Sequence, residues 1–91
     1  MQKFFIVGNW KQNPKSLKEA SLLASSIDKE VSKNNKIEVI VAPPSIFVPD
    51  LSKRKGSKSF SLAVQDFSGN KDGANTGEIP TKAFSSFGVK Y

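Results

Sequence analysis

Apolar positions along the chain fall into short unbroken runs separated by helical stripes. Phe4-Phe5-Ile6-Val7 is an unbroken run, which predicts a short strand over Lys3–Val7 that is covered on both faces. Gly8–Asn13 follows as a loop. Leu17, Ala20, Leu23, Ala24, Ile27 and Val31 then recur at the spacing of one helix face. Ser16-Leu17-Lys18-Glu19 reads as the capping box that opens this helix: Ser16 accepts from the N–H three residues on, and Glu19 reaches back. Ser32-Lys33 and the Asn34-Asn35 pair stop it. Ile37–Val41, mostly β-branched, predicts a second strand, ended by Ala42-Pro43-Pro44-Ser45. A short helix is predicted over Ile46–Lys53, with Pro49 in its first turn or limiting its regularity and Gly56 as a stop. Phe60–Val64 is the third strand. Pro80–Phe87 is the last helix, opened by proline and closed by Gly88, and Val89-Lys90-Tyr91 begins a fourth strand.

Strand, helix and strand within one short span imply parallel pairing and a right-handed crossover. Three strands and three helices make either a small open sheet with an exposed edge or the opening portion of a closed barrel. Gln65–Ile79 lacks periodicity and carries Gly69, Gly73 and Gly77. A loop of that length inside a compact domain is usually functional.

Candidate chemistry sits at the end of the first strand, in Val7-Gly8-Asn9-Trp10-Lys11-Gln12-Asn13. In extended chain, side chains two apart point the same way. Asn9 and Lys11 would then converge at the strand's carboxyl end, where α/β proteins place their ligand sites. An amide beside an ammonium suits a small anion. By local propensity alone, Asn9 is a turn former and Lys11 a solvated surface lysine.

Composition narrows the chemistry. The 91 residues contain no cysteine and no histidine, which excludes disulfides and thiolate sites and removes the commonest metal ligand and general acid–base group. No metal or cofactor is expected. Fourteen Lys and Arg stand against eight Asp and Glu, a net charge of +6, which raises nucleic acid, membrane surfaces and anionic metabolites as partners. Lys53-Arg54-Lys55 and Lys58 fall at a predicted helix end, where cations complement the dipole, and no aromatic is interleaved with them. The cluster therefore reads as a solvated helix end and no nucleic-acid partner is expected. No apolar run approaches the roughly 20 residues that span a bilayer, so no membrane partner is expected. The beginning of the chain lacks a signal-peptide pattern, and a cytoplasmic location is the expectation.

Five stretches carry a resemblance: Gly8-Asn9-Trp10-Lys11 with Asn13, Val41-Ala42-Pro43-Pro44, Ala63-Val64-Gln65-Asp66, Thr76-Gly77-Glu78-Ile79 and Phe87-Gly88-Val89-Lys90-Tyr91. In this order, each at a predicted strand end, loop or helix end, they resemble the N-terminal part of the triosephosphate isomerase family. The resemblance implies an α/β fold, the first β-α-β-α-β-α part of a (β/α)8 barrel of about 250 residues. Residues 1–91 would form an incomplete domain: three βα units and the start of strand 4. The implied activity is the cofactor-free interconversion of dihydroxyacetone phosphate and glyceraldehyde 3-phosphate. In this well-characterised family a glutamate base and a neutral histidine move the protons. Both would lie beyond Tyr91, so these residues alone are expected to be inactive.

The resemblance also implies roles for individual residues. Lys11 matches the family's active-site lysine and Asn9 the asparagine that positions the triose phosphate beside it. Fixed positive charge in a dry pocket stabilises charge that develops in the transition state. Thr76 matches the tip of a loop that enters the partner subunit of a homodimer, and Glu78 and Gln65 match positions bracing that interface and the site. Gln65 also reads as purely structural, and Glu78 as a residue that fixes the loop or the start of the next helix. Gln12 departs from the family's methionine, which packs against the partner's loop; a buried glutamine there would need a hydrogen-bond partner. The alternative to an isomerase is a stand-alone α/β module that binds a phosphate-bearing ligand without catalysis. Its two unpaired sheet edges and thin core count against it.

Overall fold

The computed structural model describes residues 3–31, 36–54, 59–69 and 73–91. It forms one sheet of three parallel strands in the order β1-β2-β3: β1 is Phe4–Asn9, β2 is Ile37–Ala42 and β3 is Phe60–Leu62. Helix α1, Leu17–Glu30, connects the first pair. A 3-10 turn at Ser45–Phe47 leads into α2, Val48–Ser52, which connects the second, and α3 is Thr81–Ser85. The sheet does not close on itself. The arrangement is that of an α/β protein with consecutive parallel strands, as the order of apolar segments predicts.

Helix α1 starts where the capping box places it. Ser16 Oγ accepts from the Glu19 N–H at 3.2 Å, satisfying one of the first-turn donors that have no intrahelical partner. The return half differs from expectation: Glu19 Oε2 accepts from the N–H of Lys15, at 3.4 Å, rather than from that of Ser16. The C-cap is Val31, and the expected stop at Ser32–Asn35 lies outside the described residues, as does that at Gly56.

Strand alternation divides the sheet into two faces. On one, Val41, Phe60 and Leu62 pack with Ala20 and Ala24 of α1 and with Phe47 and Leu51, while Val39, Trp10, Ile27 and Val89 pack against this cluster. The small side chains of Ala20 and Ala24 are the only residues of α1 that are fully buried. The predicted helix face is thus wider than the buried one, since Leu17 and Leu23 remain 42% and 40% exposed. A second, smaller cluster joins Ile40, Ala42 and Ala63.

Several boundaries shift for local reasons. β1 runs through Asn9 because Trp10 N–H continues the ladder to the Ala42 carbonyl at 3.0 Å. In α2, the 3-10 turn takes up the first residues of the predicted helix and Pro49 sits in the first turn, where it has no intrahelical N–H to lose. β3 ends at Leu62 rather than Val64, although Ala63 N–H still donates to the Val41 carbonyl at 2.8 Å. α3 spans only Thr81–Ser85, with Pro80 as its N-cap, and Gly88 at φ +77 turns the chain beyond it. Residues 89–91 form no regular strand. Lys90 N–H reaches the Leu62 carbonyl at 3.2 Å and Val64 N–H reaches the Tyr91 carbonyl at 3.0 Å, one residue out of the alternation of a regular parallel pair.

Beneath the sheet, Arg54 is folded inward. Its Nε bonds Asp28 at 3.1 Å, its Nη1 bonds the Leu51 carbonyl at 2.9 Å, and its guanidinium lies 3.9 Å from the centroid of Phe60. Its Nη2 has no partner among the described residues. Of the basic cluster, Lys53 is the C-cap of α2, and Lys55 and Lys58 lie outside the described residues.

Candidate functional site

The carboxyl ends of the three strands bring together the segments that the sequence singles out. β1 delivers Asn9, and the chain then turns sharply. Asn9 Oδ1 accepts from the Lys11 N–H at 2.8 Å, a side-chain turn that asparagine is suited to make. Asn13 N–H closes the loop on the Trp10 carbonyl at 3.0 Å. Lys11 itself sits at φ +57, the one non-glycine residue of positive φ among those described. This corrects the alternation argument. Asn9 and Lys11 are not two residues of one extended strand; β1 ends at Asn9, and a left-handed turn brings Lys11 back against the Asn9 side chain.

Gln65, just past β3, holds the opposite side of Lys11. Its Nε2 donates to the Lys11 carbonyl at 2.8 Å and to the Ala42 carbonyl at 2.9 Å. Ala42 O therefore accepts from both Trp10 and Gln65, and one oxygen at the end of β2 ties the loops after β1 and β3. The sequence signals Ala42 only indirectly. Pro43 and Pro44 lack an N–H, so the strand ends there without a donor of its own.

The remaining candidates occupy the rim. Gln12 is exposed, and its carbonyl accepts from Lys15 Nζ at 2.8 Å. Ser68 N–H donates to the Ile79 carbonyl at 3.2 Å, and Ser68 Oγ donates to Glu78 Oε2 at 3.1 Å, pinching the base of the long loop. Beyond that base, Glu78 N–H bonds the Asn75 carbonyl at 3.1 Å across Thr76 and Gly77. With Gly77 at φ +82, this is a type II turn, which needs glycine at its third position. Thr76 is exposed on that turn. A cleft of about 230 Å³ opens between Gln65–Ser68 and Gly77–Ile79, with Ser45 on its wall.

Three consecutive parallel strands whose carboxyl edge gathers Asn9, the backbone-held Lys11 and Gln65 beside a structured loop define an α/β protein, a class that places its ligand sites at that edge. The comparisons then specify the family. The model for triosephosphate isomerase matches residues 4–91. A relative named triosephosphate isomerase from Coprinopsis cinerea is 37% identical over 90 residues, covering 99% of this chain and 35% of its own length. Another of that name, from Psychromonas ingrahamii, is 34% identical over 91 residues, covering 100% of this chain and 36% of its own. A third, from Alkaliphilus oremlandii, is 37% identical with the same coverage. The chain belongs to the triosephosphate isomerase family and spans about 35% of the length of these relatives.

Proposed function

We propose that the chain supplies the substrate-holding side of a triosephosphate isomerase active site, with Lys11 as a catalytic residue and Asn9 beside it as a substrate-binding one. The reaction moves a proton between adjacent carbons of a triose phosphate through an enediolate, and needs no cofactor. Before reaction, the Lys11 ammonium attracts the phosphate dianion. As the proton leaves carbon, negative charge grows on the carbonyl oxygen, and a cation already in place stabilises it without having to reorganise. Asn9 serves twice in this reading: its Oδ1 orders the backbone of Lys11, and its side chain stands where the substrate would lie. With no histidine among its residues, this chain does not provide the electrophile that polarises the carbonyl.

Residues 1–91 act in this reading as the first three βα units and the start of strand 4 of the barrel. Thr76 at the tip, Glu78 and Gln65 at the base, and Gln12 across the rim form the face toward a second subunit in a cytoplasmic homodimer. The observation that carries the proposal is the fixed Lys11 turn at the carboxyl end of β1, in a chain that matches the family along nearly all its length.

The test is a hybrid enzyme in which residues 1–91 replace the matching segment of the Psychromonas ingrahamii relative. It is expected to interconvert the two triose phosphates, and Lys11→Ala to lower kcat/KM by about 10³-fold or more while the hybrid stays folded. A folded hybrid without turnover, or a Lys11→Ala variant with unchanged kinetics, overturns it.

A further inference from the structure

We propose that Gln65 is a positioning residue for Lys11: its side-chain amide holds the Lys11 carbonyl, and through it the left-handed backbone that sets where the ammonium points. The inference rests on the reading of Lys11 as a ligand-holding cation and goes beyond it, because it assigns to a residue after β3 the control of a residue after β1.

A left-handed conformation is unfavourable for a lysine and persists only where the surroundings over-determine it. Two bonds hold the two peptide groups of Lys11. The first, from its N–H to Asn9 Oδ1 at 2.8 Å, is local and moves with the turn. The second, from Gln65 Nε2 to its carbonyl at 2.8 Å, spans 54 positions. That second bond fixes the turn relative to the sheet, because the same Nε2 also donates to the Ala42 carbonyl at 2.9 Å. An NH₂ group has two hydrogens, and both are committed. One is anchored to the end of β2 and the other to Lys11. Without the amide, the Asn9 bond and the Trp10 bond to Ala42 still shape a turn, but the Lys11 carbonyl loses its tie to the sheet and the lysine side chain loses its anchored base. Asparagine is one methylene too short to span the two carbonyls, and glutamate has the shape without the hydrogens.

The experiment is a double-mutant cycle in the hybrid enzyme with inorganic phosphate as the probe. Phosphate affinity is measured by calorimetry for the unsubstituted protein, Gln65→Met, Lys11→Ala and the double variant, at concentrations where all four run with the same mass. Gln65→Glu serves alongside, and keeps the test open should the methionine variant fail to fold. Gln65→Met and Gln65→Glu are each expected to weaken phosphate binding about tenfold and to raise KM, with no further weakening once Lys11 is alanine. Equal weakening in both backgrounds, or none in either, overturns the positioning role. A folded, unsubstituted hybrid that binds no phosphate, or Lys11→Ala binding phosphate as tightly as its parent, instead overturns the reading of Lys11 on which it rests.

Discussion

Asp28 and Arg54, 26 positions apart, meet at 3.1 Å with both side chains only 14% exposed. Asp28 Oδ1 also accepts from the Ser59 N–H at 3.0 Å and from its hydroxyl at 2.7 Å. One carboxylate thereby fastens α1 to the end of α2 and to the residue that leads into β3. Replacing Asp28 with alanine strands a guanidinium that lies against Phe60 and leaves the Ser59 donors unmet. The expected loss is about 2–3 kcal/mol, read as a lowered denaturant midpoint at constant slope in the hybrid enzyme. Arg54→Lys is expected to be destabilising as well, because an ammonium cannot reproduce the planar contact with Phe60 together with bonds to Asp28 and Leu51.

The same carboxylate sets an acid limit. Burial raises the Asp28 pKa, but the hydrogen bonds from Arg54 and Ser59 and the nearby guanidinium charge together outweigh it, leaving the group below its ordinary 3.8. A depressed value in the folded state means stability that is present above pH 3.8 and lost as pH falls through the folded value. Glu38 behaves alike. The Tyr91 hydroxyl and the Lys3 ammonium, the latter at 3.2 Å, hold it below its ordinary 4.5. Its partner Tyr91 is raised above 10.0 by that hydrogen bond, so this contribution is present below pH 10.0 and lost as pH rises through the higher folded value. Melting temperature against pH should therefore fall at both ends, and Glu38→Gln should flatten both limbs. An unchanged alkaline limb in that variant would show that the Tyr91 contact contributes nothing.

Gly77 tests the loop. A Cβ built there meets nothing within 4 Å, yet its φ is +82, so the penalty of substitution is one of backbone alone. Gly77→Ala should cost about 1 kcal/mol, and Gly77→Asn less, because asparagine tolerates left-handed backbone. The readout is amide exchange at Glu78, whose N–H closes the turn. Faster exchange in the order Gly, Asn, Ala is expected, and equal exchange in all three would remove the turn's dependence on glycine.

The sequence carried the alternation of strands and helices because each element announces itself locally. Ser16 caps α1, the β-branched run makes β2, and Gly88 turns the chain after α3. Less legible was whatever depends on distant partners. The Phe4–Val7 run promises cover on two faces, yet these four residues are 54–62% exposed, since α1 lies against β2 and β3 rather than over β1. The candidate residues Asn9, Lys11 and Gln65 could be picked out, but not their geometry. Strand periodicity placed Asn9 and Lys11 side by side by the wrong route, because a left-handed lysine has no signature in its own residue type. Nor does any local pattern show that Gln65 reaches back to the Lys11 carbonyl.

The outer edge of β1 makes the last prediction. In a parallel strand alternate residues bond the same neighbour. Phe4 N–H reaches the Lys36 carbonyl and Trp10 N–H the Ala42 carbonyl, so the even-numbered amides between them face β2. Those of Phe5, Val7 and Asn9 face outward, along a strand whose apolar side chains are exposed on both faces. Such an edge is a template for another strand. The 91-residue chain by itself should therefore associate as concentration rises, seen as growing light scattering. Val7→Pro removes one outward N–H and leaves the ladder to β2 intact, so it should suppress association. Gly8→Pro would break the inner ladder and should not. Equal scattering from the chain and its Val7→Pro variant would place the association elsewhere than on this edge.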